Sequence, residues 1–320
     1  MAAVTGFDLP VVRFQWIYQA DTAVRLPAYA GSAWRGAFGS ALRRSVCVTR
    51  ESDCNACLLQ RSCVYSQVFE TPAGQGPLLA KVNKAPHPYV LHPLETSGSY
   101  YQPGDTLTVR MTLLGQTITQ LPYMVHAMQQ AGLRGVGKAH GRLSLLRVEQ
   151  ERCLGNGEWQ TIYESGGLLA ALDYQAPVLP EPPALVRVCL HTPYRAMQQG
   201  RLVGLRQFGF QGFVMGLLRR LSLLSVHHGG SMQSLDFRAL QQAAGEVALI
   251  NPDLRWYDWV RYSSRQQEKV PMGGLVGQFG LAAAAMDVFW PWLWWGQWLH
   301  VGKGAVMGMG EYSIETLENS

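Results

Sequence analysis

The run VRVCLHTPYRAMQQGRLVGLRQFGFQGFVMGLLRRLSLL at residues 186–224 decides the fold of the second half of the chain. Its first part has the composition of a strand, which we place at 185–192. Its second part predicts a helix over 203–225, because apolar residues recur at helical spacing and form one stripe. The stripe consists of Leu205, Phe208, Phe213, Leu217, Leu221 and Leu224. A strand followed by an amphipathic helix is a building block of layered α+β domains.

The same motifs occur in the same order in the first half, which indicates an internal duplication. VRFQW at 12–16 matches VRVCL at 186–190, LRRSV at 42–46 matches LRRLS at 218–222, and VGK at 136–138 matches VGK at 301–303. The first half predicts strands at 11–19, 88–94, 105–115 and 141–151, with helices at 28–45 and 118–132. The second half predicts strands at 185–192, 254–263, 272–279 and 310–316, with helices at 203–225 and 281–290. We therefore predict an α+β protein of two tandem ferredoxin-like (RRM-like) domains.

The boundaries of these domains follow from composition. The proline-rich segment QAPVLPEPP at 175–183 is the expected linker. The first domain then occupies residues 1–174 and carries a cysteine-rich insertion at about 46–70. The second domain occupies residues 184–320 and contains a glycine-rich loop near its end.

Composition and charge exclude a disordered chain. The 320 residues are 48% hydrophobic and 10% aromatic but only 15% charged, a combination that a packed core requires. The net charge is +5, and the stretch from Arg187 to Arg220 holds six arginines and no acidic residue. Such a stretch is compatible with a phosphate-bearing partner.

The segment Leu281–Leu299 is long and apolar, but it contains Asp287 and Pro291, so we expect a buried helix that ends near Trp290 and no membrane span.

Four of the six cysteines lie close together, at Cys47, Cys54, Cys57 and Cys63. The first residues, MAAVTGFDLP, do not have the charged and apolar regions of a secretory signal, so we expect a cytoplasmic protein with reduced thiols. Four thiolates around a central CxxC can close a tetrahedron and favour a structural zinc. An iron–sulfur cluster also accepts four cysteines. The third interpretation of the four cysteines is that they bind no metal.

The segment GKGAVMGMG at 302–310 is the main candidate for phosphate binding. Glycine allows backbone N–H groups to approach phosphate oxygens closely, and Lys303 adds a positive charge. A glycine-rich turn that only packs under the aromatic segment would have the same sequence. The VGK at 136–138 is its candidate counterpart in the first domain.

Four segments resemble the CRISPR-associated endoribonucleases that process precursor CRISPR RNA, members of the RAMP superfamily. They are WRGAFGSALRRSVC at 34–47 continuing to YSQVFE at 65–70, HTPYRAMQQGRL at 191–202 with LLRRLSLL at 217–224, WYDWVRYSSRQ at 256–266, and HVGKGAVMGMGEYSI at 300–314. The last segment looks like the glycine-rich loop that this family carries near its C-terminus. The resemblance implies a tandem ferredoxin-like fold and cleavage within CRISPR repeats without a catalytic metal. It also implies that the products carry a 2′,3′-cyclic phosphate and a 5′-hydroxyl.

The chain departs from this family in its catalytic histidine, which the family often carries on or near the first helix. No histidine precedes His87 here. The catalytic candidates are His300, beside the loop, Lys303 as transition-state charge, and Tyr29, whose hydroxyl can orient the 2′-oxygen. Weaker histidine candidates are His87, His92 and His126, whereas His227 and His228 are expected to cap a helix. The expected RNA-binding residues are Gly302, Gly304, Gly308, Gly310, Arg35, Arg43, Arg261 and Arg265.

Three functions remain open from the sequence. The first is the endoribonuclease, whose partners are the precursor CRISPR RNA repeat and other subunits of a CRISPR effector complex, with no requirement for DNA contact. The second is a non-catalytic RAMP subunit that binds the end of the guide RNA, motivated by the absent N-terminal histidine. The third is a zinc-bearing RNA-binding protein outside CRISPR.

Overall fold

The computed structural model describes residues 7–27, 29–72, 85–94, 100–230, 235–263 and 268–317. The chain forms two compact units. One unit contains residues 9–177 and 227–229, and the other contains the remaining described residues. The segment 175–183 has no regular secondary structure.

The first unit is built on a five-stranded antiparallel sheet with the strand order β3-β5-β1-β6-β7. Its elements are β1 (Val11–Ala20), β2 (Val24–Arg25), α1 (Gly31–Val46), a π-helical turn (Ser66–Glu70), β3 (Tyr89–Pro93), β4 (Tyr100–Tyr101), β5 (Thr106–Leu114), a 3-10 turn (Gly115–Gln120), α2 (Leu121–Arg134), β6 (Leu143–Glu151) and β7 (Trp159–Glu164). The order β3-β5-β1-β6 is that of a ferredoxin-like domain, in which the first and third strands lie in the centre. Strand β7 is an addition at the edge that the sequence analysis did not predict.

Alternation along β1 directs its aromatic side chains toward the two helices of the first unit. Phe14, Trp16 and Tyr18 are all buried, as expected for every second residue of a strand that faces a core. The ring of Tyr18 lies 5.3 Å from that of Trp34 on α1. Its hydroxyl donates a hydrogen bond of 3.1 Å to the carbonyl oxygen of Met128 on α2. The central strand therefore contacts both helices.

The second unit repeats this arrangement in a four-stranded antiparallel sheet with the order β11-β14-β8-β15. Its elements are β8 (Leu185–Tyr194), β9 (Met197–Gln198), β10 (Arg201–Leu202), α3 (Phe210–His228), α4 (Phe237–Glu246), β11 (Ile250–Tyr257), β12 (Val260–Ser263), β13 (Glu268–Pro271), β14 (Gly274–Ala282), α5 (Ala283–Leu299), a 3-10 turn (Ala305–Met307) and β15 (Tyr312–Thr316). Two ferredoxin-like sheets in one chain confirm the predicted fold class.

Helix α3 begins at Phe210, so the prediction of a helix from residue 203 was wrong at its start. Residues 197–202 form the short antiparallel pair β9–β10 instead. A turn follows, in which the N–H groups of Gln207 and Phe208 donate to the carbonyl oxygen of Gly204. Leu205 is consequently exposed, whereas Phe213, Leu217, Leu221 and Leu224 form the buried stripe that the spacing predicts.

Helix α5 continues through Pro291 to Leu299, so the predicted end near Trp290 was also wrong. Proline inside a helix removes one hydrogen bond and costs about 3 kcal/mol. The affected acceptor is the carbonyl of Asp287, a residue that is exposed to water. Burial of the neighbouring Trp290 and Leu293, at roughly 1.5–3 kcal/mol for a large apolar side chain, offsets this cost. Among the described residues, no helix is both long and apolar enough to cross a bilayer.

Candidate functional site

The glycine-rich loop connects α5 to β15, and its four glycines all have positive φ. The φ angles of Gly302, Gly304, Gly308 and Gly310 are 87°, 82°, 88° and 67°. A Cβ atom at Gly302 would lie 2.6 Å from the carbonyl oxygen of Arg195, and one at Gly310 would overlap the carbonyl oxygen of Val301. These glycines are therefore required both by the backbone angles and by the close approach of other backbone atoms.

Hydrogen bonds attach this loop to the end of β8. The N–H of Lys303 donates to the carbonyl oxygen of Arg195 at 2.7 Å, and the N–H of Gly310 donates to that of Pro193 at 3.1 Å. The hydroxyl of Thr192 donates to the carbonyl oxygen of Gly308 at 2.7 Å. The loop is thus held in one conformation before any ligand binds, which lowers the entropic cost of binding.

Positive side chains flank the loop. Lys303 is exposed at its start, and the guanidinium of Arg261 lies beside Met307, with Nη1 3.8 Å from Sδ. Arg195, which the sequence analysis did not single out, supplies the carbonyl under Lys303, while its Nη1 donates to the carbonyl of Gly273 at 2.7 Å. The sequence feature that could have identified Arg195 is its position within the acid-free arginine stretch from Arg187 to Arg220. The arrangement suits a negatively charged ligand.

His300, the first catalytic candidate, is buried directly before this loop. Only 3% of the residue is exposed, and its φ is 57°. Its Nδ1 lies 3.3 Å from the carbonyl oxygen of Met309, and its N–H donates to the carbonyl of Gly296 at 2.8 Å. This burial does not fit direct contact with a substrate. It fits a residue that holds the two ends of the loop together.

A second polar cluster lies in the first unit, around the ring of Phe69. The guanidinium carbon of Arg35, on α1, lies 4.3 Å from the centre of this ring. The ring of His87, just before β3, stacks on the same aromatic group, with centroids 6.3 Å from Phe69 and 6.0 Å from Tyr89. Arg35 and His87, named separately from the sequence, are therefore brought to one aromatic group. This placement makes His87 a stronger candidate than the sequence alone indicates.

Thr71 fixes the imidazole of His87. Its Oγ1 lies 2.8 Å from Nδ1 of His87, and both are within the described part of the chain. Thr71 has a φ of 45°, in the left-handed region that a β-branched residue rarely adopts. Backbone strain of this kind concentrates at functional sites, where it serves to position a side chain.

The cluster places a charged guanidinium next to a buried phenol. The Nε of Arg35 is buried and has no hydrogen-bond partner among the described residues. Burial raises the pKa of Tyr89 to about 12, and the Arg35 guanidinium partly opposes this rise. The phenol therefore stays protonated at neutral pH, and Arg35 gives the cluster a positive charge.

The remaining predicted residues lie elsewhere. Tyr29 is half-buried directly before α1. The Nη2 of Arg43 donates to the carbonyl oxygens of Glu51 and Ser52 at 2.5 and 3.1 Å, and the guanidinium carbon lies 5.6 Å from the centre of the Tyr65 ring. Arg43 thus makes hydrogen bonds within the first unit, and its expected contact with RNA stays a prediction. Arg265 lies outside the described residues.

The cysteines of the insertion face one cavity of about 360 Å³, which Cys47, Cys54, Cys57 and Cys63 all line. Each is half-exposed and has a free thiol. Burial raises the pKa of the Cys54 thiol, an effect that Arg43 opposes. In the part of the chain that the structure describes, no three His, Cys, Asp or Glu side chains are already grouped as metal ligands. The predicted zinc is therefore not supported by the side-chain positions and stays a proposal.

The VGK motif of the first unit forms a similar glycine turn. Gly137 has a φ of 80°, and a Cβ there would lie 2.5 Å from the carbonyl oxygen of Arg25. Lys138 is exposed, like Lys303 in the second unit. The turn closes on itself through hydrogen bonds between Val136 and Gly141 and lacks the second pair of glycines.

Comparisons with known proteins agree with this architecture. Residues 9–174 match a family model described as an N-terminal domain, and residues 188–312 match that of the CRISPR-associated endoribonuclease Cas6. The fold is similar to that of a Cas6 in a product complex, at a TM-score of 0.57 and 15% identity over 96% of this chain and 99% of that chain. It is also similar to Thermus thermophilus Cas6, at a TM-score of 0.53 and 15% identity over the same shares. A third similar structure is a partial Cas6-RT-Cas1–Cas2 complex, at a TM-score of 0.52 and 12% identity over 96% of this chain and 46% of that chain.

No curated protein sequence matches the chain. The family matches cover most of both units, and residues 188–312 include the glycine-rich loop and its flanking cations. The chain therefore carries a domain of the CRISPR-associated endoribonuclease Cas6 family at residues 188–312, preceded at residues 9–174 by a domain that matches a separate N-terminal-domain family model.

Proposed function

We propose that this protein cleaves precursor CRISPR RNA within its repeats. The 2′-hydroxyl attacks the adjacent phosphate without a catalytic metal, and the products carry a 2′,3′-cyclic phosphate and a 5′-hydroxyl. The observation that carries the proposal is the Cas6 match over 188–312, in which Lys303 and Arg261 flank a fixed glycine-rich loop. Similar structures contain a product and other CRISPR proteins, which supports repeat RNA and CRISPR subunits as partners. The six free thiols support a reducing, cytoplasmic setting.

The two polar sites suit different parts of this task. The reaction needs a base near the 2′-oxygen, an acid near the 5′-oxygen and positive charge at the phosphate. The loop of the second unit binds the RNA backbone through Lys303 and the neighbouring arginines. His300 positions this loop from beneath and takes no part in proton transfer.

The cluster of the first unit supplies the proton transfer. His87 is the proton-transfer residue, a role for which an imidazole side chain is suited. The hydroxyl of Thr71 holds its Nδ1 and so orients the ring toward the scissile phosphate. Arg35, whose guanidinium carbon lies 4.3 Å from the centre of the Phe69 ring, stabilises the charge that develops on the phosphate oxygens. The hydroxyl of Tyr29, beside α1, orients the 2′-oxygen.

The test of this function uses purified protein and end-labelled repeat RNA in excess chelator. We expect one cut per repeat, with a cyclic phosphate on the upstream product and a 5′-hydroxyl on the downstream one. A requirement for added divalent metal would contradict the mechanism but leave RNA cleavage standing. Products that carry a 3′-hydroxyl would contradict the attack by the 2′-oxygen.

A non-catalytic RNA-binding subunit is the second candidate. The observation that favours it is the absence of a histidine on α1, where Arg35 and Arg43 stand instead. Tight binding of repeat RNA without cleavage under single-turnover conditions would establish this alternative.

Replacement of Lys303 by alanine is expected to weaken RNA binding at all sequences alike. Because the side chain is exposed and contributes one phosphate contact, the slope of log affinity against log salt should fall by about one. A salt titration of RNA affinity measures this effect. Arg238→Ala, at an exposed position on α4, is the matched control and should leave the slope unchanged. Equal slopes in the wild type and Lys303→Ala would remove Lys303 from the interface.

A further inference from the structure

The segment that joins α1 to the turn at Ser66–Glu70 has almost no apolar core of its own. None of residues 47–63, all of which the structure describes, is buried. Val48 is 78% exposed and Leu58 is 88% exposed. Ordering each residue costs about 1–2 kcal/mol of backbone entropy, which burial of apolar surface does not offset here. Segments of this kind are commonly held by disulfides or by a metal.

The backbone of this segment is nevertheless organised around its cysteines. Cys47 ends α1, and its N–H donates to the carbonyl oxygen of Arg43 at 2.9 Å. The N–H of Cys57 donates to the carbonyl of Cys54 at 3.3 Å, which closes the CxxC turn. The N–H of Cys63 donates to the carbonyl of Leu59 at 2.8 Å. Three separate turns therefore present four thiols to the same cavity of about 360 Å³.

We propose that Cys47, Cys54, Cys57 and Cys63 together bind one structural zinc ion that fastens this segment to the end of α1. Four thiolates complete a tetrahedron at about 2.3 Å from zinc and leave no position open for catalysis. The thiols are half-exposed and line the same cavity, so the proposed site requires that their side chains rotate into it. Binding releases the thiol protons to solvent, and the site takes up Zn²⁺ without any change of oxidation state.

Arg43 supports the same assignment. Four thiolates and one Zn²⁺ carry a net charge of −2, which a neighbouring cation stabilises. The guanidinium of Arg43 donates to the carbonyl oxygens of Glu51 and Ser52, within the chain that connects Cys47 to Cys54. The arginine therefore lies where it offsets this charge and also fixes the loop between two ligands. This role also accounts for the two hydrogen bonds that Arg43 donates to the segment.

Metal analysis of the purified protein tests the proposal independently of RNA cleavage. The protein is expressed in medium that contains both zinc and iron, and metals are measured by mass spectrometry. We expect about one zinc per chain, as four thiolates bind a single ion. The Cys54→Ser/Cys57→Ser variant should lose the zinc. Cys153→Ser/Cys189→Ser, which changes two half-exposed cysteines outside the cluster, should retain it.

Three results of the metal analysis would overturn the proposal. Iron with acid-labile sulfide in the wild type would replace zinc by an iron–sulfur cluster and overturn the proposal. Wild-type protein without stoichiometric metal would also overturn it, as would zinc that survives Cys54→Ser/Cys57→Ser. If that variant does not fold, cobalt substitution of the wild type decides, because tetrahedral thiolate coordination gives an intense sulfur-to-cobalt charge-transfer band. Absence of that band would count against the four-thiolate site.

Discussion

Gly310→Ala is expected to disrupt the glycine-rich loop and to weaken RNA binding by about tenfold or more. A tenfold loss of affinity corresponds to about 1.4 kcal/mol of binding free energy. A Cβ atom at this position would overlap the carbonyl oxygen of Val301. The positive φ of 67° adds about 1–2 kcal/mol of strain for a residue with a side chain. The backbone must therefore shift where Val301 and Gly310 approach each other, which displaces the intervening Lys303. Fluorescence anisotropy with labelled repeat RNA measures the loss of affinity.

Gly166→Ala is the matched control for this variant. Gly166 also has a positive φ, of 84°, but no atom lies within 4 Å of the position that its Cβ would take. Both variants carry the strain of the left-handed backbone, and only Gly310→Ala carries the overlap. Circular dichroism establishes that each is folded. Equal RNA affinity of a folded Gly310→Ala and the wild type would contradict the assignment of the loop to RNA binding.

His87→Ala is expected to slow single-turnover cleavage by about 10²–10⁴-fold, the usual contribution of a proton-transfer residue. RNA affinity should change little, because the imidazole acts in the reaction and the loop of the second unit supplies the binding. The cleavage rate at saturating protein, measured with end-labelled RNA, separates the two effects. Thr71→Val removes the hydroxyl that lies 2.8 Å from Nδ1 while keeping the shape of the side chain. It should slow cleavage less than His87→Ala does.

His92→Ala is the control for this series. His92 lies on β3, half-buried, five residues farther along the same segment. Its removal should leave the cleavage rate within about twofold, because the proposal assigns proton transfer to His87 and not to this second histidine of the segment. A wild-type rate in folded His87→Ala would rule out His87 as the proton-transfer residue and return attention to Tyr29.

Much of the fold could be predicted from the sequence because its signals are local and repeated. The strand-like runs at 12–16 and 186–190 become the central strands β1 and β8 of the two sheets. The apolar stripe of α3 identifies the face that the second sheet covers. The spacing of the glycines predicted a loop with special backbone angles, and all four have positive φ. Periodicity and turn chemistry act over a few residues, so they can be recognised without knowledge of distant contacts.

Predictions of helix ends from single residues were wrong where contacts with distant parts of the chain determine the local structure. Pro291 is a strong signal for the end of a helix, yet α5 continues through it, because the buried residues on both sides gain more than the lost hydrogen bond costs. Residues 203–209 continue the apolar pattern of α3, but the pairing of Met197–Gln198 with Arg201–Leu202 leads into a turn first. Neither outcome is visible in a window of ten residues.

The sequence alone determined the order of the core strands and helices, the duplicated ferredoxin-like topology and the residue types available for RNA chemistry. Only the tertiary structure decided which of those residues lie where they could act on RNA. His300 stands beside the loop in sequence but is buried beneath it, whereas His87 joins Arg35 and Thr71 across separations of 52 and 16 residues. The reason is physical. Backbone periodicity follows from local sterics, but the burial and orientation of a side chain depend on the elements packed around it.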